Sequence, residues 1–300
     1  MMGGALTPGG WDPELFARVR SLHLAARRLV SGLHTGSYLA VQRGFEAEFL
    51  GYRPYVPPHP LKDVDWRAFA RNDRLVIRER RAERDLPCTL VFDASADIGS
   101  TREKWERAVE VTAAIACAVL GGGDPVGLRI IAGRTGGERG VPGGHGRGQL
   151  ARILGSLAAV RPEGRADLAV AFQEIGDRAR GRSLVGVISD FMEEPARWGP
   201  ALGALTRRRA DLRAIRIFDR GELELAGEEP TRLVSPESGR QFPVDPGAVR
   251  GPFREVVAEW ITEVRGVFVA HRGMLWDLAG SDPTLPVLGA WLGGRPMVSG

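Results

Sequence analysis

The pattern of apolar and polar positions changes period near Leu86–Pro87. Upstream, Leu15, Val19, Leu22, Ala26 and Leu29 recur at helical spacing and predict a helix over Glu14–Val30. Asp12 can cap it, Pro13 suits its first turn, and Ser31–Gly32 stops it. Short alternating runs follow at Glu46–Leu50 and Leu75–Arg80, separated by Pro54, Pro57, Pro58 and Pro60, with Val64–Ala70 between them. Runs this short predict antiparallel strands in a small module, with Trp66 as its core anchor, the alternative being a partner contact.

Downstream, near-continuous apolar runs alternate with helical ones. Cys88–Phe92, Val126–Ala132, Leu184–Ser189 and Leu212–Phe218 read as strands. Arg102–Leu120, Gly148–Ala159, Leu168–Arg180 and Ala196–Arg209 read as helices. That alternation predicts an α/β domain with a mainly parallel sheet of five or six strands covered on both faces. Beyond residue 219 the signal thins: Leu223–Leu225 and Thr231–Val234 are short extended candidates and Phe253–Val267 is helical. The expected organisation is therefore 1–86, a helix plus short antiparallel strands; 87–270, the α/β domain; and 271–300, an irregular apolar tail.

Composition narrows the class. The 300 residues are 43% hydrophobic and 26% charged, as in a globular chain. Two dispersed cysteines, Cys88 and Cys117, suit reduced, buried thiols. With neither a leader-like N-terminus nor an 18-residue apolar run, a cytoplasmic chain without a membrane span is expected. The formal charge of +4 arises within the first 90 residues. Only Lys62 and Lys104 are lysines; the remaining basic residues are arginine. The arginines between Arg67 and Arg84 are interspersed with Asp73, Glu79 and Glu83, which argues for a salt-bridged surface and against nucleic acid. The stretch Gly133–Gly148 lacks phosphate-loop spacing and contains no lysine, so it predicts a glycine-rich hairpin or surface loop.

Candidate chemistry collects at two strand ends. LVFDASAD places Asp93, Ser95 and Asp97 just past one strand, and VGVISDF places Ser189 and Asp190 just past another. In open parallel sheets, ligands bind outside the carboxyl ends of strands where strand order reverses. If the two strands are neighbours, Asp93, Ser95, Asp97 and Asp190 form a hard-oxygen set suited to Mg²⁺ or Mn²⁺. Otherwise the aspartates cap helices or brace loops.

These segments, with GDPVGL and RADL, resemble a von Willebrand factor A-like domain, a doubly wound sheet with a metal-ion-dependent adhesion site. Residues 45–83 add a second likeness. Glu48, Phe49, Arg53, Tyr55, Asp65, Trp66, Ala70, Arg71 and Leu75 resemble the segment preceding that domain in the bacterial domain-of-unknown-function 58 family. The chain departs from the pattern at Asp97, which stands where the motif's last serine would be, at Ala166, where a threonine is expected, and at Pro58-His59-Pro60. The resemblance therefore implies a degenerate adhesion-type metal site.

It further implies a non-enzymatic protein-binding adaptor, because such chains are commonly encoded beside MoxR-type AAA+ ATPases. The ATPase or its client is the expected partner. Two other functions remain open. A divalent-metal-dependent phosphoester hydrolase would use Asp93 as nucleophile, but the second acid of such sites is Ser95 here and no lysine follows Lys104. A nucleic-acid-binding module would use the Arg67–Arg84 region. The five histidines are dispersed, and no catalytic residues are assigned.

Overall fold

The computed structural model describes residues 13–35, 49–55, 64, 66–72, 74–80, 86–131, 140–179, 181–225, 229–234 and 239–295. It divides into two compact units, Leu39–Asp85 and a larger one comprising Met1–Tyr38 with Leu86–Gly300. The first helix, α1 (Pro13–Thr35), belongs to the larger unit, which corrects its assignment to the N-terminal module. Its apolar stripe explains why: Ala26 is fully buried in the larger core, and Leu22 and Leu29 pack against that core.

In the smaller unit, β1 (Phe49–Pro54) and β2 (Val76–Arg80) pair antiparallel around helix α2 (Trp66–Asn72) in the chain. The expectation for Trp66 is overturned. It is 55% exposed and meets Phe69 edge-on, while Val64 and Ala68 are the buried residues. Trp66 and Ala68 are two apart on one helix, so burying Ala68 turns Trp66 away. Of the arginine run, Arg71 and Arg74 are exposed. The side chains of Arg67, Arg78 and Arg80, all of Arg81 and Arg84, and the Pro58-His59-Pro60 turn lie outside the described residues.

The larger unit continues with β3 (Cys88–Asp93), α3 (Arg102–Gly121), β4 (Val126–Ile131), β5 (Gly140–Gly144), α4 (Gly146–Ala159), α5 (Leu168–Arg178) and β6 (Ser183–Ser189). Then come α6 (Pro195–Trp198), a 3₁₀ turn at Gly199–Ala201, α7 (Leu202–Arg207), β7 (Ala210–Phe218) and α8 (Arg220–Glu224). A small antiparallel pair, β8 (Thr231–Val234) and β9 (Gln241–Val244), precedes α9 (Pro246–Ala270), β10 (Met274–Ala279) and α10 (Thr284–Gly293).

Six strands form one sheet in the order β10-β7-β6-β3-β4-β5, parallel except for β5. The chain builds outward from β3 through β4 and β5, then returns to lay β6 on the other side of β3. Strand order therefore reverses between β3 and β6, as the sequence predicts. Alternation splits the core. Leu90, Phe92, Leu184, Ile188, Ile215 and Ile217 face α1, α3, α4 and α10, whereas Val91, Val185, Val187, Leu212 and Ala214 face α5, α6, α7 and α9. This is a von Willebrand factor A-like α/β fold.

Three expectations need correction. Residues 196–209 are not one helix, because Pro200, which lacks an N–H, leaves a 3₁₀ turn between α6 and α7. Leu223 and Glu224 are helical in α8, where Asp219 and Glu222 form a reciprocal capping box. The supposedly irregular tail holds the edge strand β10, paired parallel with β7, and helix α10, whose Leu288 and Trp291 are fully buried. Asp277 within that strand receives Arg216 Nε at 2.6 Å and an ion pair from Arg265. The glycine-rich stretch gives β5 as a hairpin partner of β4, and residues 133–139 within it lie outside the described residues.

Candidate functional site at the strand ends

Asp93 is the last residue of β3, and Ser189 ends the neighbouring β6. Both are buried, as are Ser95 and Asp190. The parallel β3–β6 pairing delivers both loops to the same edge of the sheet. A third loop joins them through Glu163 N–H to Ala94 O and Ala96 N–H to Gly164 O, each at 2.9 Å. The result is a crevice lined by Asp93, Ser95, Asp97, Ala166, Ser189 and Asp190, with Arg165, Met192 and Glu193 also bordering it. The four residues singled out in the sequence, Asp93, Ser95, Asp97 and Asp190, all line this crevice, and Ala166 lines it with them.

Hydrogen bonds occupy most of the oxygens. Asp93 Oδ1 accepts the Ser95 N–H at 2.8 Å, and its Oδ2 accepts the Ser189 hydroxyl at 2.6 Å. Ser189 Oγ in turn accepts the Phe191 N–H at 3.0 Å, and Asp190 Oδ1 accepts the Met192 N–H at 3.1 Å. Phe191 has φ 55°, a left-handed conformation costly for a non-glycine residue. Its ring packs at 5.5 Å from Trp198 and 5.3 Å from Phe268, which offsets that cost and fixes the turn after Asp190.

The residue that sequence reasoning missed is Lys104. Its side chain is fully buried on α3, and Nζ donates to Asp190 Oδ2 at 2.9 Å, to the Asp97 carbonyl at 2.9 Å and to Glu222 Oε1 at 2.8 Å. Glu222 is also absent from the predicted set. It caps α8 by accepting the Asp219 N–H at 3.0 Å and receives the Ser100 hydroxyl at 2.9 Å. One signal was available. In a chain that uses arginine almost throughout, a lysine marks a place where a compact ammonium with three diverging donors fits and a planar guanidinium does not.

The electrostatics follow from burial. Desolvation, with Asp190 nearby, lifts the Asp93 carboxyl from 3.8 to about 7 against the opposing hydrogen bonds from Ser189 and Ser95. Burial works against the Lys104 ammonium, but the Asp190 and Glu222 carboxylates outweigh it and raise the group above its ordinary value. Burial also raises Glu193, whose carboxylate accepts the Leu168 N–H at 3.3 Å.

Donor chemistry tests the expected divalent cation. Mg²⁺ requires near-octahedral oxygen ligation and keeps several waters. Here both Asp93 oxygens and both Asp190 oxygens already accept protein hydrogen bonds, position 166 has no hydroxyl, and a lysine ammonium touches the second aspartate. Among the described residues no group of three or more His, Cys, Asp or Glu side chains is arranged to hold a metal. The donor set as it stands does not fit a divalent ion.

The lysine also bears on the hydrolase alternative, since it reaches a site where none was expected. Its three donors are already spent on Asp190, Asp97 and Glu222, leaving none for a phosphoryl oxygen.

Comparison with known proteins agrees with the family likeness. The family model described as "Protein of unknown function DUF58" matches residues 51–262, and the chain belongs to that family. Uncharacterized proteins of Mycobacterium tuberculosis (Rv1480) and Mycobacterium bovis (Mb1516) are each 34% identical over 255 residues, covering 82% of this chain and 79% of theirs. Among solved structures, BatB of Bacteroides thetaiotaomicron aligns with a TM-score of 0.45 at 10% identity, covering 70% of this chain and 98% of that one. The SpRpn10 VWA domain aligns at 0.41 and 11%, covering 72% and 100%. Among the described residues no helix is long and apolar enough to cross a membrane.

Proposed function

We propose that this chain is a non-enzymatic protein-binding adaptor acting with a MoxR-type AAA+ ATPase or that ATPase's client through the loops at the carboxyl ends of β3 and β6. The observation that carries this reading is the internal saturation of the site's charges. Asp93, Asp190 and Lys104 are buried and hydrogen-bonded to one another's loops, so they shape a surface and hold no free donor for chemistry. What remains for a partner is the rim, where Met192 is 44% exposed above the constrained Phe191 turn. An exposed apolar side chain framed by charged neighbours is a common interface anchor. Membership of the DUF58 family supports the ATPase as partner, because the family resemblance carries that association.

The test uses the full chain, immobilised and exposed to lysate of its native cell, with the MoxR-type ATPase quantified in the eluate. Met192→Arg should abolish recovery while leaving the melting temperature unchanged. Equal recovery by the variant would remove this face from consideration. Absence of the ATPase together with Asp93-dependent turnover of phosphate esters would replace the adaptor with the hydrolase.

A further inference from the structure

Two of the loops around the crevice, those after β3 and β6, are tied to helix α8 by one positive charge, and that charge is covalently part of the chain. Lys104 leaves the first turn of α3, whose start is fixed by the Thr101 hydroxyl accepting the Lys104 N–H at 3.2 Å. From there the side chain runs inward, and its ammonium meets acceptors from the β3–α3 loop, the β6–α6 loop and α8 at 2.8–2.9 Å. A group with three donors meeting three acceptors on three separate elements plays the structural part of a bound cation.

We propose that Lys104 is the permanent cation of this site, replacing a divalent ion, so that the strand-end face is assembled without metal. Three observations support it independently. The ammonium lies against Asp190, the later aspartate that a metal would need, and a divalent ion there would face a fixed positive charge within a few ångströms in a poorly hydrated setting. Ala166 leaves a metal short of one hydroxyl, a deficit of no consequence to an ammonium already bonded three times. Lysine is almost never fully buried unless paired, and this one has two carboxylate partners, Asp190 and Glu222. A tethered cation also costs no binding equilibrium, so the face keeps its shape at any Mg²⁺ concentration.

The experiment needs no partner, so its failure leaves the adaptor reading standing and is distinguishable from failure of that reading. The full chain is melted in millimolar Mg²⁺ and in chelator, and Mn²⁺ binding is followed by electron paramagnetic resonance. The wild-type protein should melt at one temperature in both solutions and leave Mn²⁺ free. Lys104→Met should melt lower in chelator, by on the order of ten degrees, because breaking a buried pair leaves two carboxylates uncompensated. Mg²⁺ should restore part of that loss, and Mn²⁺ should now bind; adding Asp190→Asn should abolish both effects. Lys104→Arg keeps the charge, so it should show no Mg²⁺ response even if it is less stable. Mn²⁺ held by the wild-type chain and released by Asp93→Asn would overturn the proposal. So would a Lys104→Met protein, folded and destabilised, that gains nothing from Mg²⁺. If that variant does not fold, the wild-type measurements decide alone.

Discussion

Asp93→Asn isolates the electrostatic strain at the end of β3. The carboxyl is 2% exposed and stands beside Asp190, and its proton affinity rises from 3.8 to about 7 in the folded chain. The folded state therefore holds this proton more tightly than the unfolded state does. That contribution to stability is complete below about pH 4 and is lost as pH rises through about 7. A gap of about three pH units at roughly 1.4 kcal/mol each sets a ceiling of about 4 kcal/mol, and a realised loss of about 2–4 kcal/mol is expected. Asparagine has nearly the same shape and no charge at any of these pH values. Its amide oxygen can accept the Ser95 N–H, and its amide nitrogen can donate to Ser189 Oγ, so both native contacts survive in altered polarity. Urea unfolding of both proteins at steps between about pH 5 and pH 8 gives the difference in stability at each pH. Contributions common to the two proteins, such as Glu193, cancel in that difference. The variant should gain on the wild type steadily as pH rises. Parallel profiles would refute the account and mean that the Ser189 and Ser95 hydrogen bonds keep Asp93 ionised without cost.

Gly186 lies at the centre of β6, where an added Cβ would come within 2.7 Å of Trp291 and 2.8 Å of Leu90. Gly186→Ala should therefore cost about 1–3 kcal/mol in chemical denaturation. Ending the chain at residue 272 removes β10, α10 and the buried Trp276, Leu288 and Trp291, and should abolish cooperative unfolding of the larger unit as followed by near-ultraviolet circular dichroism. Trp66→Ala should change stability by less than about 0.5 kcal/mol, because the ring is more than half exposed. Cys88 is buried and burial pushes its thiol well up, so a thiol reagent should label it only after unfolding.

Much of the architecture was legible because it depends on neighbours in the chain. Five-to-seven-residue apolar runs such as Cys88–Phe92 and Leu184–Ser189 must be buried on two faces, and the amphipathic segments between them must cover those faces. The aspartates and serines after those runs consequently fell at strand ends, and the reversal of strand order brought them together. Other features depended on distance. Trp66 was read by residue type, whereas its exposure was set by which side of α2 had something to bury it. The tail was read as apolar and irregular; its strand β10 carries an aspartate, Asp277, whose charge is met by Arg216 and Arg265 from β7 and α9.

The site divides along the same line. Its oxygens were visible in DASAD and ISDF, because a strand end is a local property. Its cation was not, since Lys104 meets Asp190 across 86 positions and Glu222 across 118. No periodicity or motif spacing carries that meeting; only the folded sheet brings the two loops and α8 to one point. The sequence by itself determined the layers, the strand ends and the supply of acids. The tertiary structure decided which positive charge balances them, because the energy of a buried charge depends on what surrounds it in space.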